Sequence, residues 1–277
     1  MESGLYVVAT PIGNLGDITS RALAVLTAAD IVAAEDTRHT ARLLQHFSIT
    51  ATLLAYHEHS GERAQARILE CIAAGGVVAL VSDAGTPLIS DPGYRLVRDA
   101  QDAGHRVIPL PGPCAAIAAL SASGLPTDRF LFEGFLPAKA GARARRLQDL
   151  AAESATLVFY EAPHRVAETL QDMVTAFGDQ REALLARELS KTFETLKRAP
   201  LVDLAGFVAA DSNQQRGEIV LAVSGQRGRD EALTPDVTRM LLRLAEELPA
   251  KRASAVVADL TGLRKKALYD YLLGQKG

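Results

Sequence analysis

Short apolar runs alternate with helix-like stretches over the first half of the chain. Residues 77–81, read VVALV, are five consecutive apolar positions, the size of one strand that is buried on both faces. Similar short runs occur at residues 5–9, 30–34 and 106–110, and segments with helical periodicity separate them. Because strands that alternate with helices form parallel sheets covered on both faces, this half is predicted to be an α/β domain.

The polar positions between these runs predict where helices begin and where ligands bind. Thr19 suits the N-cap of a helix that runs to about Ala28. After the run at 77–81, a loop of small and polar residues leads to Asp91, which we predict as an N-cap with Pro92 at the first helical position. In open α/β sheets such loops, at the carboxyl ends of strands, bind ligands. The alternative is an ordinary strand–helix connection, which is usually shorter.

The pattern changes after residues 123–127, a Ser-Gly-Leu-Pro-Thr stretch that we interpret as a linker. Strand signals then follow with few long crossovers between them, which predicts an α+β domain with a mixed or antiparallel sheet. They lie at residues 130–135, 156–160, 183–187, 192–196 and 218–223.

Beyond Gly225 only helical patterns remain, at residues 235–247, 252–260 and 264–273. Thr261 and Gly262 give a tight turn between the last two, as in a helix-turn-helix. The predicted domains are therefore an N-terminal α/β domain (1–124), a second α+β domain (125–226) and a helical region (227–277).

Composition and charge narrow the possible functions. The chain has 277 residues, 48% of them hydrophobic, and a net charge of −3, so any contact with nucleic acid requires a local basic patch. Residues 249–277 supply one, with six basic side chains against two acidic ones. Two cysteines, no signal-type leader and no apolar run of membrane-spanning length predict a cytoplasmic protein without a membrane segment.

Two weak motifs point to other chemistries. Gly13-x-x-Gly16 followed by Glu35 resembles part of a dinucleotide-binding fingerprint, but the full G-x-G-x-x-G is absent. His57-Glu58-His59 does not have the spacing of a strong metal site, and we interpret it as a surface loop. The sequence therefore predicts no metal site.

Seven segments, in the same order and spacing over about residues 5–223, together resemble the signature set of one family. They are ATPIGNLGD (9–17), AEDTR (34–38), VSDAGTP (81–87), PLPGP (109–113), FYEAPHR (159–165), RELSK (187–191) and GEIV (217–220). The family is that of bacterial small-subunit ribosomal RNA cytidine 2′-O-methyltransferases, in the tetrapyrrole-methylase superfamily. The resemblance implies two α/β domains with S-adenosylmethionine (SAM) in the cleft between them, a homodimer, and a cytidine in the decoding region of the small ribosomal subunit as the target.

The resemblance also implies which residues contact SAM. They are Pro11, Ser82, Asp83, Ala84, Gly85, Thr86, Ile89, Pro111, Cys114, Ala115, Tyr160, Glu161, Leu189 and Ser190. Where relatives in the superfamily have Gly-Gly-Asp-Pro, this chain reads Ala84-Gly85-Thr86-Pro87. Either Asp83 or Thr86 is then expected to take the role of the missing carboxylate.

Methyl transfer to a ribose hydroxyl requires alignment of the reacting atoms and removal of the hydroxyl proton. Glu35 or Glu188 is the predicted base, and Lys191 or Arg165 is expected to stabilise the oxygen. The predicted contacts with RNA are Arg38, Arg95, His164 and Arg165. For each catalytic candidate, an ion pair that only shapes the cleft is the alternative.

Two other functions remain open from the residues. One is a SAM-dependent methylase of a tetrapyrrole or of diphthamide, which the basic residues of 138–146 and of the C-terminal region disfavour. The other is a nucleotide-binding regulator or oxidoreductase, which the missing G-x-G-x-x-G disfavours.

Overall fold

The computed structural model describes residues 1–57, 62–226 and 235–274. The chain divides into two compact units, Met1–Gly225 and Gln226–Gly277. The larger unit holds two five-stranded sheets, and the smaller unit holds three helices.

The first sheet is parallel throughout, in the order β3-β2-β4-β1-β5. Its strands are β1 (Gly4–Val8), β2 (Ile31–Ala34), β3 (Leu53–Ala55), β4 (Val77–Val81) and β5 (Val107–Leu110). The helices that follow them are α1 (Ser20–Ala28), α2 (Thr37–His46), α3 (Glu62–Ala73), α4 (Tyr94–Asp102) and α5 (Ala115–Ser121).

The central strand β4 is buried at all five positions, because its side chains enter two separate apolar clusters. Val77, Ala79 and Val81 pack into one cluster, and Val78 and Leu80 pack into the other. The sheet is therefore covered on both faces, as the uninterrupted apolar run predicts.

The second sheet is mixed, in the order β6-β7-β10-β8-β9, with β6 and β7 parallel and the other pairs antiparallel. Its strands are β6 (Phe130–Phe135), β7 (Thr156–Glu161), β8 (Glu182–Arg187), β9 (Thr195–Pro200) and β10 (Ile219–Val223). Helices α6 (Ala140–Leu150), α7 (Val166–Phe177) and α8 (Leu201–Ala210) cover one of its faces.

Helix α5 joins the two sheets. Ala116, Ala119 and Leu120 of this helix pack against Val158 and Val220 on the face of the second sheet that lies opposite α6–α8. The first turn of α5, which follows strand β5 of the first sheet, is thereby held against the second sheet. This packing brings the strand ends of both sheets to one place.

The fold class is confirmed: a parallel α/β sheet is followed by a mixed sheet and by C-terminal helices. The domain boundary at 124/125 stays a prediction, since both sheets belong to one compact unit. The N-cap at Thr19 is also confirmed, because its hydroxyl accepts a hydrogen bond from the Ala22 N–H at 3.1 Å.

The predicted N-cap at Asp91 is wrong. Helix α4 begins at Tyr94, and its N-cap is Gly93, which has φ +135° and gives no side-chain capping bond. Leu88 and Ser90 also have positive φ values, so the chain makes several sharp turns before the helix can start. These turns leave the Asp91 side chain available for another role.

The strand predicted at 192–196 begins three residues later, as β9. Glu188 and Ser190 both adopt positive φ, and the Glu194 carboxylate accepts a hydrogen bond from the Ser190 N–H at 2.7 Å. The residues up to Glu194 therefore form a closed turn, and pairing starts only where Thr195 meets Arg187.

The C-terminal unit contains α9 (Pro235–Glu247), α10 (Ala250–Thr261) and α11 (Lys265–Gly274). Leu241 of α9, Ala253 and Val257 of α10, and Leu268 and Leu272 of α11 form its buried core. Gly262 ends α10 in the left-handed conformation, which confirms the predicted turn. No helix within the described residues is long and apolar enough to span a bilayer.

Arg143 is buried between α6 and α7, with 2% of its side chain exposed. Its Nε donates to Asp172 at 2.6 Å and its second guanidinium nitrogen donates to Glu168 at 3.3 Å. We expect Arg143→Ala to lower the free energy of unfolding by about 2–3 kcal/mol, since it removes a buried side chain together with its hydrogen bonds to two carboxylates. Chemical denaturation measures this loss.

The matched control is Arg198→Ala, which breaks an exposed ion pair with Glu182. Its expected cost is under about 1 kcal/mol. Equal losses in the two variants would contradict a structural role for the buried pair.

Candidate functional site

A cavity of about 390 Å³ lies where the carboxyl-end loops of the first sheet meet the strand ends of the second. This volume is in the range of small-molecule sites. Eight of the predicted cofactor contacts line it, namely Ala84, Gly85, Thr86, Ile89, Ala115, Tyr160, Glu161 and Leu189. These eight residues come from separate loops and strands, and the structure brings them together at one cavity, as the sequence predicts.

Four of the other six predicted cofactor contacts line two further cavities. Pro11 and Asp83 line an adjoining cavity of about 330 Å³, and Cys114 and Ser190 line a third of about 520 Å³. Ile12 belongs to all three linings. Ser82 is buried and donates to the Ala84 carbonyl, and Pro111 is exposed. Neither of these two residues lines the three cavities.

Gly85 fixes the position of the loop after β4 against the loop after β1. The N–H groups of Thr10 and Gly85 each donate to the other residue's carbonyl, at 2.9 and 3.0 Å. Gly85 has φ +76°, a conformation that strains any residue with a Cβ. The loop is thus held rigidly, with a glycine where its backbone borders the cavity.

Thr86 and Asp83, the two candidates for the superfamily carboxylate, both make contacts between loops. The Thr86 hydroxyl donates to the Pro113 carbonyl at 2.9 Å, which ties this loop to the one after β5. Asp83 Oδ1 accepts a hydrogen bond from the Asp36 N–H at 3.0 Å, after β2. The choice between them stays a prediction, and both help to hold the loops together.

Asp91 is a site residue that the sequence reasoning missed. It lines the 390 Å³ cavity together with Ser90 and Tyr160. Burial raises the pKa of its carboxyl; a hydrogen bond with Ser82 opposes this shift, and the charge of Asp83 adds to it. Burial together with Asp91 and Asp83 likewise raises the pKa of the Glu35 carboxyl. The sequence around Asp91 resembles the start of a helix, and for that reason it does not predict Asp91 as a site residue. Only the positive φ values of the residues before it distinguish this loop from an ordinary helix N-cap.

The raised pKa of Asp91 predicts how stability depends on pH. The folded state favours the neutral acid, so stability falls as pH rises from the ordinary aspartate pKa, near 4, through the higher folded value. Asp91→Asn removes the ionisable group, and with it the cost of burying a negative charge at neutral pH. We expect its melting temperature to exceed that of the wild type at neutral pH, with the difference vanishing below about pH 4. A lower melting temperature at neutral pH would contradict this assignment.

Tyr160 and Glu161 form the wall contributed by β7. The Tyr160 hydroxyl accepts a hydrogen bond from the Ala116 N–H at 3.3 Å, and burial raises its pKa, so the phenol stays neutral. The Glu161 carboxylate has no exposed surface; it accepts from the Ala162 N–H at 2.7 Å and from the Thr169 hydroxyl at 2.6 Å. Only the backbone atoms of Glu161 are therefore available for contact with a ligand.

Arg165 completes this buried network. Its guanidinium bonds to the Glu161 carboxylate at 2.7 Å and donates to the Leu136 carbonyl at 2.9 Å. Only 16% of its side chain is exposed. These contacts disfavour the expected roles of Arg165 at an RNA phosphate or a reacting oxygen, because Nε and one terminal nitrogen already bind Glu161 and Leu136; those roles stay predictions.

Glu188 and Lys191 are neighbours, and Glu218 lies beside them. Lys191 Nζ donates to Glu188 Oε1 at 2.9 Å and to Glu218 Oε2 at 3.1 Å. Burial acts to raise the pKa of Glu188, but the Lys191 ammonium and the Glu218 N–H outweigh it and lower that pKa. Glu188 is thus a weak base that orients Lys191, and Lys191 lines the adjoining cavity as a cation.

The remaining predicted RNA contacts lie outside these cavities. Arg38 is exposed and pairs with Asp36 at 2.7 Å, and Arg95 and His164 are also exposed. His39 and Arg42, which sequence reasoning missed, line the adjoining cavity instead. Their three-residue spacing places them on one face of α2, a signal that helical periodicity could have given.

No metal-binding group of three or more side chains occurs among the residues that the structure describes. His57 is described, whereas Glu58 and His59, the rest of that predicted surface loop, lie outside the described residues.

The strand order, the mixed second sheet and the cavity between the two sheets are those of a methylase of the tetrapyrrole type. Residues 4–205 match the family model "Tetrapyrrole (Corrin/Porphyrin) Methylases", and residues 231–276 match the model "RsmI C-terminal HTH domain". Among solved structures, the methyltransferase CobJ aligns with a TM-score of 0.59 at 21% identity, covering 81% of this chain and 95% of that one. At that identity the likeness concerns the fold.

Two curated relatives are similar over their full length. A ribosomal RNA small subunit methyltransferase I of Escherichia coli O157:H7 is 54% identical, covering 100% of this chain and 96% of the relative. One of Pseudomonas aeruginosa is 56% identical, covering 100% and 99%. The chain therefore belongs to the tetrapyrrole methylase family and, within it, to the ribosomal RNA small subunit methyltransferases I. The resemblance drawn from the seven motifs is confirmed.

Proposed function

We propose that the protein transfers a methyl group from SAM to the ribose 2′-hydroxyl of a cytidine in the RNA of the small ribosomal subunit. The observation that carries this proposal is the rigid, small-residue cavity in which the loops after β1, β4 and β5 meet β7 and β10. The full-length similarity to relatives named ribosomal RNA small subunit methyltransferase I supports the substrate class.

The residues present fit SAM. Ala84, Gly85 and Ala115 leave room for an adenosyl group, and the buried Ile219 and Val220 give an apolar floor. Asp91 offers a carboxylate for an ammonium or sulfonium cation in a low-dielectric setting. When bound, SAM would supply an electrophilic methyl group. A complex of S-adenosylhomocysteine is known for a uroporphyrin-III C-methyltransferase of Thermus thermophilus with the same fold, at 21% identity and a TM-score of 0.53.

The chain's own residues then have three tasks. The loops on either side of Gly85 hold the reactants in line, which supplies most of the acceleration. Glu35 stays our proposed proton acceptor, because burial and the charges of Asp91 and Asp83 raise the pKa of its carboxyl and so make it a better base than an ordinary carboxylate. Lys191, oriented by Glu188, presents a cation that can stabilise a developing negative charge or an RNA phosphate.

The assembly and location remain part of the proposal. We propose a cytoplasmic homodimer whose partner is the small ribosomal subunit. Of the three domains predicted from the sequence, 1–124 and 125–226 would together form the cofactor-binding and catalytic site, and 227–277 would contact the RNA. The exposed cations of the C-terminal unit, including Arg252, Lys265 and Lys266, support that last role.

Radiolabelled SAM tests the proposal directly. The protein is incubated with small ribosomal subunits or with uroporphyrinogen, and the RNA is digested to nucleosides. We expect label in 2′-O-methylcytidine from the subunits and none in the tetrapyrrole. Label in the tetrapyrrole alone would favour the alternative methylase function.

A further inference from the structure

Phe135 is a large apolar side chain that stays 57% exposed at the rim of the 390 Å³ cavity. The floor of the same cavity is buried, since Ile219 and Val220 are only 3% and 4% exposed. A single exposed phenylalanine is common on protein surfaces. What sets Phe135 apart is the backbone irregularity that turns its ring toward the cavity.

Strand β6 contains a bulge between Phe132 and Gly134. Phe132 pairs with Val158, but the register then shifts, so that Gly134 pairs with Phe159 and Phe135 pairs with Tyr160. In a regular strand Phe132 and Phe135, three residues apart, would point to opposite faces. The bulge puts both on the face of Val158 and Tyr160, and bulges near sites commonly redirect a side chain in this way.

The residue at the bulge is specialised for this geometry. Gly134 is buried with φ +64°, and a Cβ there would lie 3.0 Å from the Ser90 hydroxyl oxygen. Ser90 itself lines the cavity. A side chain at position 134 would therefore be strained and would also press on the loop that borders the site.

The ring of Phe135 contacts one other aromatic ring. It meets the Tyr160 ring edge-on, with centroids 5.7 Å apart, and Phe132 meets the same Tyr160 ring from 5.0 Å. The contact with Tyr160 favours one orientation of the Phe135 ring while more than half of the residue remains exposed. An open aromatic face beside a cavity is the usual platform for an unstacked nucleobase.

We propose that Phe135 is the stacking platform for a nucleobase of the RNA substrate at the reacting ribose. This inference rests on the proposed RNA methyltransferase function and adds a base-binding subsite to it. Sequence-specific RNA recognition mostly uses unstacked nucleotides of single-stranded segments, and an aromatic surface replaces the stacking that such a base has lost. The rim position separates this subsite from the buried floor that we assign to the cofactor.

Steady-state kinetics with small ribosomal subunits test the proposal through four variants of Phe135. Phe135→Ala and Phe135→Leu should raise KM for subunits about tenfold or more, with a smaller change in kcat, because base–aromatic stacking is lost. Phe135→Tyr and Phe135→Trp should restore KM to near the wild-type value. The SAM dissociation constant, measured by calorimetry, should stay unchanged in all four.

Leucine is the informative control, since it keeps an apolar side chain without an aromatic face. A KM for Phe135→Leu equal to that of the wild type would overturn the proposal, and so would failure of the aromatic variants to rescue. Melting temperatures show whether each variant is folded. If the wild type itself methylates no subunits, the proposed function fails, and this inference falls with it before any variant is compared.

The adenine of the cofactor is the competing occupant of the ring, and fluorescence separates the two. The chain contains no tryptophan, so Phe135→Trp introduces a single reporter. We expect its emission to be unaffected by S-adenosylhomocysteine alone, as in the control Phe193→Trp at a surface position that is 74% exposed. Strong quenching of the Phe135→Trp variant by S-adenosylhomocysteine would assign the ring to the cofactor and overturn the proposal.

Discussion

Replacing Gly85 with arginine is expected to abolish SAM binding while the protein still folds. Gly85 borders the cavity, and its backbone conformation, with φ at +76°, sets the direction in which a new side chain would leave the backbone. An arginine side chain would fill the space reserved for the ligand and place a cation beside a sulfonium cation. We expect calorimetric affinity for SAM to fall by about a hundredfold or more.

Gly104 provides the matched control for this change. It has nearly the same backbone conformation, φ +75°, and no atom lies within 4 Å of where its Cβ would be. Gly104→Arg therefore carries the same left-handed strain, about 1–2 kcal/mol, without touching the cavity. Equal loss of SAM binding in both variants would show that strain is responsible, and normal affinity in Gly85→Arg would refute the assignment of the loop.

Removal of residues 231–277 is expected to weaken binding to small ribosomal subunits about tenfold or more at physiological salt, with SAM affinity unchanged. The deleted region carries exposed cations on α10 and α11, and phosphate contacts by such groups contribute strongly to affinity for RNA. Loss of these contacts should also flatten the dependence of binding on salt concentration. Filter binding over a series of salt concentrations measures both effects.

Charge reversal tests the same role without deleting a folded unit. Lys265→Glu with Lys266→Glu should reproduce most of the loss of subunit binding. The control reverses Arg239 and Arg243 on α9, which already pair with acidic neighbours on the same helix. If both double variants bind subunits as tightly as the wild type, the C-terminal cations have no part in recognition.

The first sheet and its ligand-binding edge were predictable because they follow from local rules. Five apolar residues in a row define β4, and the carboxyl ends of parallel strands always meet at one edge. Once 77–81 is a strand, Gly85 must lie at that edge. The strand order is not given by that rule, and only the structure shows that the loop after β1 pairs with Gly85, through the backbone bonds of Thr10.

The contacts that decide the role of each side chain were not predictable in this way. One partner of Glu188, the Glu218 N–H, is thirty residues away along the chain, and one partner of Arg165 is the carbonyl of Leu136, which directly follows β6. Positive φ values at Leu88 and Ser90 free Asp91 from the cap that its sequence suggests. The bulge in β6 reverses the alternation that would have placed Phe135 on the other face. These features depend on tertiary packing, which no local pattern encodes.

One cavity, built from the loop around Gly85 and the strand ends of the second sheet, is proposed to hold the methyl donor. A crystal structure of the protein with S-adenosylhomocysteine tests this assignment. We expect the ligand in contact with Gly85, Ala115 and Tyr160, with Asp91 facing it. A ligand bound instead in the adjoining cavity beside His39 and Arg42, or anywhere else on the protein, would contradict it.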